Sequence, residues 1–162
     1  MAEFFPVTPD DLETILSIYN HYVTNSTATF HSVPLTQKDL LEFLFVGHPK
    51  YPSFMIHEGG ETAGYCFVTP FKKRQAYDRS AELSIYLKPE HTGKGIGPAA
   101  LDILEVAAKK AGIRVMVATI CGENHASIRL VEKAGYTRCA CLKNIGEKFG
   151  TVMDVVMYQK EI

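Results

Sequence analysis

The sequence predicts a mixed α/β (α+β) protein in which a mostly antiparallel sheet carries helices on both faces. Apolar residues recur at helical spacing in four segments. Between those segments, short stretches rich in β-branched and aromatic residues show the alternation that is typical of strands. The order is two helices, a hairpin and a strand, and then helices that alternate with strands, which favours a layered sheet over a bundle or a barrel.

The chain has the size of one domain. Its 162 residues include 46% hydrophobic and 22% charged residues, which is ordinary globular composition. No repeat, low-complexity tract or Pro/Gly/Ser-rich linker interrupts it. We therefore expect a single domain over residues 1–162. A chain of this length buries about 70% of the surface that its unfolded form exposes, so it needs neither disulfides nor a structural metal to be stable.

Charge and hydropathy exclude several classes of partner. Seventeen Lys and Arg against 18 Asp and Glu give a net charge of −1, so no overall positive field attracts nucleic acid or acidic lipid. No apolar run reaches the roughly 20 residues of a membrane span, and the N-terminus lacks a basic region followed by an apolar one. The four cysteines form no C-x-x-C pair. We expect a cytoplasmic protein with no metal, nucleic-acid or membrane site.

The first 50 residues predict an extended segment followed by two helices. Residues 3–7 form the extended segment. Thr8 is the N-cap of the first helix and Pro9 its first residue. Its apolar stripe consists of Leu12, Ile15, Leu16, Tyr19 and Val23. The second helix begins at Thr36 and is expected to end near Gly47.

The middle of the chain changes to strand periodicity. Residues 53–58 and 62–69 predict two strands of a hairpin, joined by a glycine turn. A third strand is expected over residues 79–88. A glycine-rich turn then opens a helix that ends at Gly112.

In the C-terminal third of the chain, predicted strands and helices alternate again. Residues 114–120 predict a compact β-branched strand and residues 124–134 a short helix. Two final strands are expected over residues 136–144 and 153–159, around a connection at residues 146–151.

The glycine-rich turn, Thr92-Gly93-Lys94-Gly95-Ile96-Gly97, lies directly between a strand and a helix. Backbone N–H groups and the positive end of a helix dipole favour a phosphate group there. The spacing differs from the dinucleotide fingerprint, which needs glycine where Pro98 stands, and from a Walker A loop. Taken alone, the turn is equally compatible with a connection that binds nothing.

The segment from Tyr86 to Pro98 closely resembles the acetyl-CoA pyrophosphate loop of the GCN5-related N-acetyltransferases (GNAT), written (Gln/Arg)-x-x-Gly-x-(Gly/Ala). Gly95 and Gly97 match the two small positions, whereas Thr92 stands where the family usually has Gln or Arg. Nearly the whole chain is similar to the phosphinothricin and methionine-sulfone acetyltransferase branch. The matching segments are residues 18–22, 26–30, 70–78, 82–87, 124–135 and 146–150, with Asp154.

The resemblance implies a GNAT fold and an acetyl-CoA-dependent N-acetyltransferase with no metal. The acceptor it implies is a small amino-acid-like amine of the phosphinothricin, methionine sulfoximine or methionine sulfone type, so the enzyme would confer resistance to such glutamate analogues. The branch usually forms homodimers, and we expect one here. Two alternatives are a GNAT enzyme for a different amine and a non-catalytic acetyl-CoA-binding module.

The resemblance also implies roles for particular residues. Glu82 is the candidate general base. The implied acetyl-CoA-binding residues are Ile85, Tyr86, Leu87, Gly93, Lys94, Gly95, Ile96, Gly97, Pro98 and Asn124. Asn124 has an equally good interpretation as a helix N-cap. Many members of the branch carry His at the position of Val131, so the donor of a proton to the leaving thiolate is not assigned.

The acceptor side is expected around a basic segment. Lys72, Lys73, Arg74 and Arg79 surround Tyr77. Because a guanidinium binds paired oxygens bidentately, Arg74 is the leading anchor, with Lys73 and Tyr77 beside it. The resemblance adds Phe30 as a wall of the pocket. An exposed basic loop and a core phenylalanine are the alternatives.

One further feature is Lys148-Phe149, which lies in the predicted connection between the last two strands. It either reaches a neighbouring pocket or caps the turn.

Overall fold

The computed structural model describes all 162 residues as one seven-stranded sheet with helices packed against it. The elements in chain order are β1 (Ala2–Pro6), α1 (Leu12–Asn25), α2 (Gln37–Leu40), β2 (Ser53–Glu58), β3 (Glu61–Pro70), β4 (Ser80–Leu87), α3 (Ile96–Lys110), β5 (Val115–Cys121), α4 (His125–Lys133), β6 (Thr137–Lys148) and β7 (Thr151–Glu161). None of the helices is long and apolar enough to cross a membrane.

The sheet is mixed but mostly antiparallel, as the sequence predicts. Its strand order is β1-β2-β3-β4-β5-β7-β6. Every neighbouring pair is antiparallel except β4 and β5, which are parallel. This parallel pair is joined by the crossover through α3, as parallel neighbours require.

Helices cover both faces of the sheet, which confirms the predicted layers. One buried cluster joins α1 and α2 to one face and includes Ile15, Val23, Leu40 and Tyr65. A larger cluster joins α3 and α4 to the other face and includes Leu101, Leu104, Met116 and Val131. Because side chains alternate along a strand, β4 contributes to both clusters.

The second helix is shorter than predicted. Its start is confirmed, because Thr36 and Asp39 form a reciprocal capping box. However, α2 ends at Leu40 rather than near Gly47. Leu44 is buried one turn after Leu40, but the backbone between them tightens into turns, since the N–H groups of Glu42 and Phe43 bond to carbonyls only three residues back.

The connection predicted at residues 146–151 is also wrong. β6 and β7 continue towards each other and leave only Phe149 and Gly150 in the turn, both with positive φ. This is the two-residue turn that matches strand twist. Gly146 is not a turn residue: it pairs with Met153, and a Cβ on it would lie 3.2 Å from the Met153 Cγ.

We expect Gly64→Ala to lower the free energy of unfolding by about 3 kcal/mol. Gly64 lies opposite Leu87 in the β3–β4 ladder, and an added Cβ would lie 2.2 Å from the Tyr86 carbonyl oxygen and 2.9 Å from the Leu87 Cα. Backbone rather than a flexible side chain would have to move. Urea denaturation measures the loss, and an effect no larger than that of Thr62→Ala on the same strand would contradict the expectation.

Candidate active site

The site begins where β4 and β5 separate. These strands pair only at Ser80–Val115, Ala81–Met116 and Glu82–Val117. Beyond the last pair, β4 continues to Leu87 and β5 to Cys121 with no pairing between them. Because the strands are parallel, their carboxyl ends lie at the same edge of the sheet, and a split opens there between them.

The backbone of β4 presents free groups to this split. The Lys88 N–H donates to the Ala63 carbonyl oxygen on β3 at 2.8 Å. Backbone groups alternate in direction along an antiparallel ladder, so those of Tyr86 also face β3. Those of Ile85 and Leu87 therefore face the split. Of Ile85, Tyr86 and Leu87, the cofactor-binding residues that the resemblance implies on β4, only Ile85 and Leu87 can offer backbone hydrogen bonds to a ligand.

Tyr86 contributes a side chain instead. Its ring centroid lies 5.3 Å from that of Tyr19, 5.4 Å from that of Tyr22 and 5.5 Å from that of Tyr65, so four phenol rings form one cluster beneath α1. The Tyr22 hydroxyl donates to the Leu87 carbonyl oxygen at the edge of the split. Burial raises the pKa of the Tyr86 phenol, and this keeps it neutral.

Glu82 lies at the base of the split. The alternation of β4 places its side chain on the α1 face, with those of Ser84 and Tyr86. Burial raises the pKa of the half-buried Glu82 carboxyl, and the Thr119 side chain and the Lys72 ammonium offset part of that effect. A carboxylate whose pKa lies above the ordinary range is a stronger base than an exposed one.

The glycine-rich turn leads from β4 into α3. Gly93 and Gly95 adopt φ values of +73° and +79°, which side chains rarely adopt, and nothing lies within 4 Å of where their Cβ atoms would be. Gly95 is the N-cap of α3, and no side chain caps the helix. The N–H groups of Ile96 and Gly97 are thus unpaired donors at a helix start, whereas Pro98 has none. This arrangement suits a phosphate group.

The side chains of His91 and Glu58 hold the turn in place. His91 is 6% exposed, and its Nδ1 lies 2.9 Å from Oε2 of Glu58 at the end of β2. The same oxygen lies 3.6 Å from the Lys94 Nζ. The hydrogen bond from His91 lowers the pKa of the Glu58 carboxyl, with a smaller contribution from Lys94. No local sequence pattern points to Glu58, because its partners lie more than 30 residues away.

Thr92, Ile96 and Gly97 support the turn and the start of α3. The Thr92 hydroxyl donates to the Pro89 carbonyl oxygen at 2.8 Å and so turns back into the loop. Ile96 is 2% exposed and anchors the start of α3 in the core. A Cβ on Gly97 would lie 3.3 Å from the Leu130 Cδ2, so this glycine lets α3 and α4 approach.

Asn124 follows β5 at the other side of the split. It is the N-cap of α4, and its Oδ1 accepts a hydrogen bond from the Ser127 N–H at 3.2 Å. The capping interpretation is confirmed, and the side-chain NH₂ keeps its donors for a second partner. Val131, further along α4, is 2% exposed within the core and presents no group to the split.

The basic segment lies between β3 and β4. Lys73 and Arg74 are exposed and form no ion pair, so both cations lack an internal partner. Tyr77 is 39% exposed, and its ring packs edge-on against Phe71 at 5.8 Å. The segment enters β4 just before Glu82, which places the free cations at the same end of β4 as the candidate base.

Phe30 is not a core residue. It is 47% exposed and follows the buried Thr29 in the connection after α1. Together with His31 and Phe43 it lines an open cavity of about 480 Å³. The Tyr19 hydroxyl lies 2.6 Å from the Thr29 Oγ1, which ties this connection to the phenol cluster.

Sequence reasoning left the place of Lys148 open and missed Tyr22. Lys148 is 4% exposed, and its Nζ donates to the carbonyl oxygens of Ser26 and Thr29 at 2.6 and 2.9 Å. It therefore binds the segment that follows α1 rather than its own turn. Tyr22 lies three residues after Tyr19 on α1, a spacing that signals a shared helix face.

No three His, Cys, Asp or Glu side chains lie close enough together to hold a metal ion. The ligand groups that the split offers are backbone N–H groups, hydroxyls, one carboxylate and a helix start. These suit an organic ligand that carries an amide arm and a pyrophosphate.

Comparison with known proteins agrees with this geometry. Residues 6–157 match the family model described as acetyltransferase (GNAT) domain. The chain is 31% identical over 160 residues to phosphinothricin N-acetyltransferase of Streptomyces viridochromogenes, covering 99% of this chain and 87% of the relative. It is 31% identical over 156 residues to the L-methionine sulfoximine/L-methionine sulfone acetyltransferase of Salmonella typhimurium, covering 94% and 90%.

A solved structure is similar over the same length. The GNAT superfamily phosphinothricin acetyltransferase from Sinorhizobium meliloti, in complex with acetyl-CoA, superposes with a TM-score of 0.93 at 32% identity, covering 99% of this chain and 88% of that one. The chain therefore belongs to the GNAT acetyltransferase family. It is an acetyl-CoA-dependent N-acetyltransferase, as the sequence predicts.

We expect Gly95→Ala to raise the Kd for acetyl-CoA about tenfold, because a strained N-cap misdirects donors that bind a charged group. Isothermal titration calorimetry measures the Kd. Gly47→Ala is the control, since Gly47 also has a positive φ of +65° and open space but lies far from the split along the chain. Equal effects of the two substitutions on the Kd would contradict the expectation.

Proposed function

We propose that this enzyme acetylates the amino group of a small amino-acid-like acceptor of the phosphinothricin, methionine sulfoximine or methionine sulfone type. The observation that carries the proposal is the pair of unpartnered cations, Lys73 and Arg74, in the segment that leads to Glu82. They suit an acceptor with a carboxylate and a second oxygen-rich group. The names of the relatives from Streptomyces viridochromogenes and Salmonella typhimurium support the same acceptor class.

In this proposal the acetyl-CoA arm lies in the split. The free backbone groups of Ile85 bind the amide arm and the Leu87 N–H faces its acetyl end, while the Leu87 carbonyl oxygen accepts from Tyr22 and Tyr86 supports the strand from beneath α1. The pyrophosphate lies on the glycine-rich turn, where the residues concerned are Gly93, Lys94, Gly95, Ile96, Gly97 and Pro98. Lys94 lies 3.6 Å from Glu58 and so has a charged partner in the protein that a phosphate would share. Asn124 offers its NH₂ group to the arm while its Oδ1 caps α4.

The proposed chemistry uses Glu82 as the base. The Glu82 carboxylate accepts a proton from the acceptor ammonium, directly or through a water. The free amine then attacks the acetyl carbonyl carbon: a C–N bond forms, the C–S bond breaks, coenzyme A leaves as its thiolate, and the proton lost by the new amide nitrogen passes to solvent or to that thiolate. The Leu87 N–H donates to the carbonyl oxygen on which charge develops. A thiol with a pKa of about 8.5 is a good leaving group as its thiolate, so the reaction needs little help from an acid at the Val131 position.

Phe30 and Tyr77 are proposed as aromatic walls of the acceptor pocket, with Arg74 as its anchor. Both rings are partly exposed, Phe30 in the connection after α1 and Tyr77 in the connection before β4. Binding in a pocket of this composition favours a short aliphatic chain between the amine and the second polar group. Turnover of glutamate analogues would make the enzyme a resistance determinant.

We also propose that residues 1–162 form a single N-acetyltransferase domain that works in the cytoplasm as a homodimer. The four free cysteines, of which Cys139 is exposed, support a reducing compartment. The outer part of the β6–β7 hairpin exposes Leu142, Ile145 and Val152 by 42%, 59% and 54%, an apolar surface that a second copy would cover. A monomeric mass in solution at micromolar concentration would contradict the homodimer.

The acceptor class is tested by thiol release from acetyl-CoA across amines. The panel contains phosphinothricin, methionine sulfoximine, methionine sulfone, ordinary amino acids, polyamines and peptide amines. We expect turnover with the glutamate-like sulfur and phosphorus compounds, and a loss of roughly 10²- to 10⁴-fold in kcat for Glu82→Gln with the acetyl-CoA Kd unchanged. Turnover confined to polyamines or peptide amines would contradict the proposed acceptor and favour a different amine.

The pH dependence tests the base separately. Because the base must be ionised, kcat/KM falls as the pH drops through the raised pKa of Glu82. Lys72 lowers that pKa, so Lys72→Met should shift the acidic limb of the profile to higher pH. Lys110→Met, which removes the same charge from the last turn of α3, is the control. An unshifted limb in Lys72→Met would argue against Glu82 as the titrating group.

The anchor is tested by Arg74→Ala. Losing hydrogen bonds to a charged acceptor group should raise the acceptor KM about tenfold to a hundredfold, and Arg74→Lys should restore only part of it. Arg79→Ala removes the same charge from the same exposed segment and serves as the matched control. If both alanine variants raise KM equally, the segment acts only through its overall charge.

A further inference from the structure

Lys148 connects two parts of the molecule that lie far apart in the sheet. β6 is the edge strand, three positions away from β4, whereas α1 packs on the face of β3 and β4. At the end of β6 the Lys148 Nζ donates to the carbonyl oxygens of Ser26 at 2.6 Å and Thr29 at 2.9 Å, with that of Tyr22 at 3.5 Å. The hairpin thus reaches over the split from its far side and holds the end of α1.

Two of these carbonyl oxygens have no other donor. Ser26 and Thr29 lie beyond the last residue of α1, and only the Lys148 ammonium donates to their carbonyl oxygens, whereas that of Tyr22 already accepts from the Ser26 N–H. A lysine satisfies them and complements the negative end of the helix dipole. Lys148 has no carboxylate partner, and burial lowers the pKa of its ammonium. These carbonyl oxygens are therefore its only hydrogen-bond partners.

The adjacent residue carries local strain. Phe149 has a φ of +54°, in a two-residue turn where Asn is the favoured residue at this position. Its ring is 60% exposed, and the Lys148 Nζ lies 5.1 Å from the ring centroid. An exposed aromatic residue with a left-handed backbone makes this turn less stable than Asn would. Strained residues of this kind cluster at active and ligand-binding sites.

The held segment borders the site directly. Tyr22 donates to the Leu87 carbonyl oxygen at the split, and Thr29 binds the Tyr19 hydroxyl of the phenol cluster. Phe30 follows Thr29 and projects from the fold. If residues 26–29 moved, Phe30 would move with them, whereas the glycine-rich turn, fixed by Glu58 and His91, would stay in place.

We propose that Lys148 is a positioning residue for the acceptor side of the site: it holds residues 26–29 and so fixes the place of Phe30 next to the phenol cluster, which Thr29 contacts through Tyr19. The inference rests on the proposed role of Phe30 in acceptor binding and adds a residue from the far edge of the sheet to that role. Acetyl-CoA binding, which uses β4 and the glycine-rich turn, does not depend on it.

The test compares Lys148→Met with Lys143→Met in the full-length protein. Lys143 lies on the same strand, is exposed and pairs with Asp154 at 2.9 Å, so its removal deletes a lysine without touching α1. Three quantities are measured: amide hydrogen exchange of residues 26–31, the Kd for acetyl-CoA, and kcat and KM for the acceptor that the wild-type enzyme acetylates. Lys148→Gln, which keeps two N–H donors, replaces Lys148→Met if the latter does not fold.

We expect exchange of residues 26–31 to accelerate at least about tenfold in Lys148→Met, and the acceptor KM to rise about tenfold or more, with the acetyl-CoA Kd within about twofold of wild type. Lys143→Met should change none of the three. Unchanged exchange, an unchanged acceptor KM, or an equal rise in the acetyl-CoA Kd would each overturn the inference. The exchange measurement uses no acceptor, so it decides the positioning of residues 26–29 even if the proposed acceptor class fails.

Discussion

The parallel pairing of β4 and β5 stops at Glu82 and Val117, and the site depends on what this leaves unpaired. A buried strand ordinarily satisfies its backbone groups with a neighbour. Here the N–H groups of Ile85 and Leu87 face a split that no protein strand fills. A ligand with its own amide groups can complete the ladder, and the same divergence places the Glu82 carboxyl at the base of the opening.

Both sides of the split are held by contacts remote in sequence. On one side the Glu58–His91 pair fixes the glycine-rich turn that starts α3. On the other, Lys148 fixes the end of α1. Between them the phenol cluster and α1 lie on the same face of β4 as Glu82. Burial raises the pKa of the Glu82 carboxyl and makes it a stronger base.

Much of this arrangement could be predicted from local sequence. Hydrophobic periodicity and caps predicted the strands and helices, and the resemblance around Gly95 and Gly97 pointed to the glycine-rich turn as the candidate phosphate site. The helix predicted to reach Gly47 stops at Leu40, and the error at residues 146–151 arose where a glycine serves a purpose other than ending an element. Gly146 permits close approach to Met153, and a single sequence does not distinguish that need from a turn.

Contacts between distant segments could not be predicted in this way. Nothing near Lys148 in the chain signals that its ammonium meets Ser26 and Thr29, more than a hundred residues away. The same holds for the alternation that turns the Tyr86 backbone towards β3, which depends on the register of the β3–β4 ladder. Register follows from pairing across the sheet rather than from the sequence of one strand.

If the unpaired edge of β4 receives the acetyl-CoA arm, amide hydrogen exchange resolved by NMR detects it residue by residue. Adding saturating acetyl-CoA should slow exchange of the Ile85 and Leu87 N–H groups strongly. The Tyr86 N–H, already bonded to β3, should change little. Protection of Tyr86 alone, or no added protection at Ile85 and Leu87 while acetyl-CoA is bound, would contradict the account.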